Sequence, residues 1–153
     1  MLLYLLTLIP FPALHAQEGF TAESIPDSIW QKMQGKTYVA NPYIQRSDLR
    51  YLRVLHWDYD NQPHQGELIC NRLIASKLLS IFRELYKAHY PIQRIRLADD
   101  YDADDERQMR ANNSSCFCYR TVSGTQKLSY HARGDYADHV RTRHGPPHRG
   151  RRH

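Results

Sequence analysis

Polar and apolar positions alternate most clearly over Leu49–Trp57, where Leu52, Val54 and His56 fall on one side of an extended chain and Tyr51, Arg53, Leu55 and Trp57 on the other. That two-residue period predicts a strand. The polar run Asp60-Asn61-Gln62-Pro63 predicts a turn, and residues 66–70 a returning strand, so the two form a hairpin. The period then changes. Over residues 71–89, Leu73, Ile74, Leu78, Ile81, Phe82 and Leu85 recur at three- and four-residue steps, fringed by Arg72, Lys77, Arg83 and Lys87. This predicts an amphipathic helix with Asn71 as its N-cap, stopped before Pro91. An exposed stripe of that size would be an aggregation liability, so it is assigned to the core.

Shorter signals flank this centre. Asp27 or Ser28 can start a helix that turns Ile29, Trp30 and Met33 to one side and ends at Gly35. Residues 92–98 alternate and predict a strand. Residues 104–111 predict a short helix, and residues 115–121 a further strand by β-propensity. With 153 residues and 41% hydrophobic content, the chain is long enough for one domain with a real core. The fold class expected is α+β, an antiparallel sheet with flanking helices.

Both ends differ from this body. Residues 1–16 are apolar, too short to span a bilayer and small near their end; they are expected to be a signal peptide cleaved near Ala16, although a positively charged start is missing. Export to the periplasm or outside the cell follows. Residues 17–47 are expected to form an N-terminal arm. Residues 139–153 hold five arginines and no acid, and they account for the formal net charge of +5. No aromatic residue interleaves with those arginines, so this basic tail is expected to be disordered and not a nucleic-acid arm.

Two concentrations of polar residues carry candidate chemistry. Asp99, Asp100, Asp102, Asp104, Asp105 and Glu106 form an acidic run. Oxygen-rich runs suit calcium, but no Gly stands at the sixth and no Glu at the twelfth position of an EF-hand loop, so a solvated acidic loop is expected. Further on stands S-Y-H-A-R-G, with Ser129, His131 and Gly134, followed by Asp138. Imidazole and carboxylate are both good Zn2+ ligands, and a glycine between them lets the backbone turn.

This last pattern resembles the S-x-H-x-x-G-x-A-x-D metal signature of the zinc D-alanyl-D-alanine carboxypeptidases, the VanY-type and VanX-type cell-wall peptidases with a Hedgehog-like fold. The segments L-R-Y-L-R-V-L-H-W-D-Y-D from Leu49, G-E-L-I-C-N from Gly66, I-F-R-E-L-Y from Ile81, Y-D-A-D-D-E from Tyr101 and M-R-A-N-N-S-S-C-F-C-Y-R from Met109 also look like that family, in its order. The resemblance implies a zinc peptidase domain over residues 48–138, with His131 and Asp138 as Zn2+ ligands. It implies that Arg120 and Ser129 bind substrate, and that the substrate is a peptidoglycan stem peptide. For Arg120 a structural ion pair with the acidic loop is the equal alternative. His56 and His64 fall outside the family's ligand motif.

The sequence also departs from that family. No glutamate follows His131, and none of His139, His144, His148 or His153 has Glu three positions before it, so the general base and the last zinc ligand of the family's E-x-x-H segment are missing. Tyr136 stands where the family has Ala, and Cys118 where it has Asn. The expectation is a peptidase domain incomplete at its C-terminus, inactive as given, with a frameshift near codons 134–138. A non-catalytic, exported cell-wall-binding domain is the alternative. Of the three cysteines, Cys116 and Cys118 lie two residues apart on a strand, roughly 6.6 Å, which is awkward for a disulfide. Cys70 with Cys116 is the expected pair.

Overall fold

The computed structural model describes residues 19–121 and 124–134. In order it contains β1 (Thr21–Glu23), α1 (Asp27–Met33), β2 (Leu49–Trp57), β3 (Pro63–Asn71), α2 (Ala75–Lys87), β4 (Arg94–Ile95), α3 (Asp105–Arg110) and β5 (Asn113–Ser114). One-turn 3-10 helices occupy Arg46–Asp48, Ala98–Tyr101 and Tyr130–Arg133. The strands β1-β2-β3 form an antiparallel sheet, and β4 and β5 a parallel pair. The mixed α+β class is as expected.

The hairpin carries the fold. Leu52 pairs with Leu68 and His56 with His64 in a register that runs from Leu49 opposite Asn71 to Trp57 opposite Pro63. Because side chains alternate across a sheet, the two strands build two cores. Leu52, Val54, Leu68 and Cys70 face α2, where Leu78, Leu79 and Phe82 meet them. Leu49, Tyr51 and Ile69 face the opposite way, against Ile25, Met33, Ile44 and Phe117. Leu52 and Leu68 are each buried, and each contributes about 1.5–3 kcal/mol by leaving water. Asp58 closes the hairpin: its Oδ1 accepts the amides of Asp60 (2.9 Å) and Gln62 (2.8 Å), while Asn61 takes a positive φ of 58°.

The main helix is shorter than its sequence pattern. Asn71 ends β3 instead of capping the helix. Its side-chain oxygen accepts the amide of Leu73 at 3.0 Å, a local turn that delays α2 to Ala75. Leu73 consequently stands 78% exposed, and Ile81 is exposed as well, so these two of the six expected stripe residues are not core. At the other end His89 adopts φ 51°, with its amide on Tyr86 O and that of Tyr90 on Leu85 O. These two bonds are those of a Schellman stop, with His89 where glycine is usual. The His89 ring stacks on Trp57 with centroids 4.1 Å apart.

Two further expectations change. The strand over residues 92–98 shrinks to Arg94–Ile95, and α3 is capped by Asp104 accepting the Arg107 amide at 3.0 Å. Residues 115–121 form no ladder. Phe117 N–H donates to Ile69 O (3.1 Å) and Tyr119 N–H to Thr37 O (2.8 Å), so the segment is stitched to two different neighbours and pairs continuously with neither. For that reason the described residues do not close into the Hedgehog-type sheet. None of their helices is long and apolar enough to cross a membrane.

Candidate binding groove

The acidic run is a clamp. Asp99 is 3% exposed, and the Thr37 hydroxyl donates to its carboxylate at 2.8 Å. Lys32 pairs with Asp100, and Lys36 with Asp102 at 2.7 Å; Arg107 reaches the other oxygen of Asp102, also at 2.7 Å. Lys36 and Arg107 hold the Asp102 carboxyl below the usual range, whereas burial pushes that of Asp99 up. The expected solvated loop is thus tied to the end of α1 and the chain after it, and Asp100 and Asp102 are matched by cations.

Arg120 joins this network through Asp105, at 2.6 Å. That is the ion pair weighed as the alternative for Arg120, and it directs the guanidinium at the protein's own acid. Its Nε is buried without a hydrogen-bond partner among the described residues.

Local capping accounts for S-Y-H-A-R-G. Ser129 is the N-cap of the Tyr130–Arg133 turn, its Oγ accepting the His131 amide at 3.3 Å, and Gly134 ends the turn with φ 65°. A side chain at Gly134 would be strained by that φ and would also meet the Asn71 nitrogen at 2.9 Å. The turn is then sewn down from both sides. Asn71 N–H donates to Gly134 O (2.8 Å) and Cys118 N–H to His131 O (3.0 Å). His131 Nδ1 lies 2.7 Å from Cys116 O; a carbonyl only accepts, so Nδ1 carries the proton and donates.

The zinc expectation is therefore corrected. Among the described residues no three His, Cys, Asp or Glu side chains come together as a metal site. His131 has its Nδ1 committed to a backbone carbonyl, and Asp138 lies outside the described residues. Neither a Zn2+ centre nor a metallopeptidase activity is supported. A short turn needs a cap, an aromatic anchor and a left-handed glycine; Ser129, His131 and Gly134 meet those needs without a metal.

Cys70, Cys116 and Cys118 are all buried and none is in a disulfide in this structure; the Cys116 thiol donates to Gly134 O at 3.3 Å. Burial pushes the Cys70 thiol up to about 12 and the Cys118 thiol up to about 11, so neither is a ready nucleophile at neutral pH.

The same turn forms one wall of an open groove of about 780 Å³, lined among others by Tyr43, Asn71, Tyr119, Lys127, Tyr130 and Arg133. Tyr43 is 73% and Tyr130 72% exposed. Among the described residues no carboxylate lines the groove. Of the residues expected to act, Ser129 lies in this wall, whereas Arg120 does not line it. Sequence reading missed Tyr43, Lys127 and Arg133, which have no periodicity and come together only because the turn docks on the end of β3. No family model, no curated protein and no solved structure matches the chain, so the resemblance to the D-alanyl-D-alanine carboxypeptidases gains no support and the groove is read from its own chemistry.

Proposed function

We propose that this protein is a non-catalytic binding module whose groove holds a short peptide with a free carboxylate, of the kind found in cell-wall stem peptides. The observation that carries this reading is the charge and surface of the groove. Lys127 and Arg133 supply cations, no acid among the described residues lines the groove against them, and Tyr43 and Tyr130 offer exposed aromatic faces. Guanidinium and ammonium groups bind carboxylates through charge-assisted hydrogen bonds, and tyrosine adds contact area at little cost in side-chain freedom. Export, as expected from residues 1–16, would place such a module beside its ligand.

Calorimetric titration with a stem pentapeptide ending in D-Ala-D-Ala tests the reading. Saturable binding is expected, weakened about tenfold by Arg133→Gln and by C-terminal amidation of the peptide, the scale of one charge-assisted bond. Mass spectrometry should find the peptide uncut. Absence of binding, or equal binding of the amidated peptide, would overturn the assignment.

A further inference from the structure

A second polar cleft lies at the far end of the hairpin, between β3 and β4. Its volume is about 240 Å³, and His56, Asp58, His64, Gln65, Arg94 and Arg96 line it. The pairing of β2 with β3 puts His56 opposite His64, with ring centroids 5.6 Å apart. His56 is held from behind, Nδ1–H donating to Ile92 O at 2.8 Å. Gly66 lets β4 approach closely, which brings Arg94 and Arg96 to the hairpin.

Charge in this cleft is unbalanced. Among the described residues Asp58 is the one carboxylate that lines it, and the protein already uses it: Oδ1 takes the amides of Asp60 and Gln62, and Oδ2 lies 2.7 Å from His64 Nε2. Those bonds, from Gln62 above all and then His64, hold its carboxyl below the usual range, so it stays ionised and occupied. Arg94 is exposed and makes no ion pair among the described residues. Arg96 pairs with Glu67 at 3.9 Å, and Glu67 also accepts the Tyr51 hydroxyl. Arg94, with Arg96 beside it, thus lines a pocket whose one acid among the described residues is already bonded, together with imidazole and amide groups that can complete a hydrogen-bonding shell.

We propose that this cleft binds a phosphate-type oxyanion, either inorganic phosphate or the phosphoryl group of a larger ligand. A planar guanidinium matches the spacing of two phosphoryl oxygens, and an anion in the cleft complements Arg94, whose charge meets no acid among the described residues, with Arg96 close by. The site is separate from the groove that contains Tyr43 and Tyr130, so its occupancy is independent of the peptide.

The test is titration of the full chain with inorganic phosphate, and separately with glycerol 3-phosphate, at constant ionic strength, followed by calorimetry and by amide shifts of Arg94 and Gln65. Saturable one-site binding is expected, weakened about tenfold by Arg94→Gln, the scale of a lost charge-assisted hydrogen bond. Lys77→Gln, which removes an exposed charge from α2, should leave it unchanged. Tighter binding of glycerol 3-phosphate identifies a phosphoryl group on a larger molecule; equal or weaker binding identifies the free ion. Unsaturable binding, or equal loss in Arg94→Gln and Lys77→Gln, would show only diffuse attraction to a basic surface and would overturn the proposal.

Discussion

The imidazole of His131 donates from Nδ1 to the carbonyl oxygen of Cys116 at 2.7 Å, and this bond defines what the most conspicuous motif of the chain does. It joins the Tyr130–Arg133 turn to the segment that packs on β3. The same turn shapes one wall of the groove. His131 therefore acts on the groove by holding backbone in place.

His131→Ala is expected to destabilise the protein by about 1–3 kcal/mol, because it leaves a carbonyl in a partly buried setting without its donor. Urea denaturation measures this. A ligand that binds only the folded state raises stability by mass action, so a resident zinc site would stabilise the wild type on metal addition and not the variant. The expected result is that zinc raises the stability of neither. Zinc-dependent stabilisation of the wild type, lost in His131→Ala, would reinstate a metal role.

The clamp between the chain after α1 and the acidic run makes a pH-dependent contribution of defined sign. Burial raises the Asp99 carboxyl above its ordinary 3.8, with the Thr37 hydroxyl opposing part of the rise. The folded state then binds more protons than the unfolded state between the two values, so Asp99 disfavours folding progressively as pH climbs from below 3.8 through the raised value. Asp102 behaves oppositely. Its lowered carboxyl contributes stability that is present above 3.8 and lost as pH falls through the lowered value. Denaturation of Asp99→Asn across a pH series separates the two. The variant should gain stability relative to wild type as pH rises above 3.8, and then hold a constant difference. A difference independent of pH would mean that Asp99 is not buried as an acid.

The hairpin was legible because its cause is local. A strand buried on both faces still alternates in size and polarity along Leu49–Trp57, and the Asp58–Gln62 turn residues fix its register. The start of α2 was not legible, because Asn71 satisfies both an N-cap pattern and an Asx turn, and only the docking of Gly134 on its backbone selects the turn. Residues 115–121 have the β-propensity of a strand, yet propensity carries no information on whether a neighbour runs alongside. The metal site failed for a related reason. Ser, His and Gly at that spacing serve a capped turn as well as a metal loop, and sequence similarity weighted the second reading over the first. The two polar clefts were invisible as sites: Arg94 and His64 are thirty residues apart and meet through the approach of β4 to β3.

That approach depends on Gly66. A Cβ there would lie 2.5 Å from Ile95 Cβ and 3.1 Å from the Ile95 carbonyl oxygen, closer than packed atoms come. Gly66→Ala should therefore push β4 away from β3 and cost about 1–3 kcal/mol, the usual scale of overpacking. Ile95→Ala is an informative partner, since it removes the Cγ2 that would sit at 2.9 Å but keeps both Cβ and the carbonyl. If backbone approach is what forbids a side chain at position 66, the double variant remains as displaced as Gly66→Ala alone, and its loss of stability is no smaller than the sum of the two single losses. If instead the obstacle is the flexible end of Ile95, the double variant recovers part of the loss. Amide shifts of Arg94 report the strand displacement, and urea denaturation reports the stability. Recovery on truncating Ile95 would show that Gly66 is there for side-chain room and not for the close meeting of two strands.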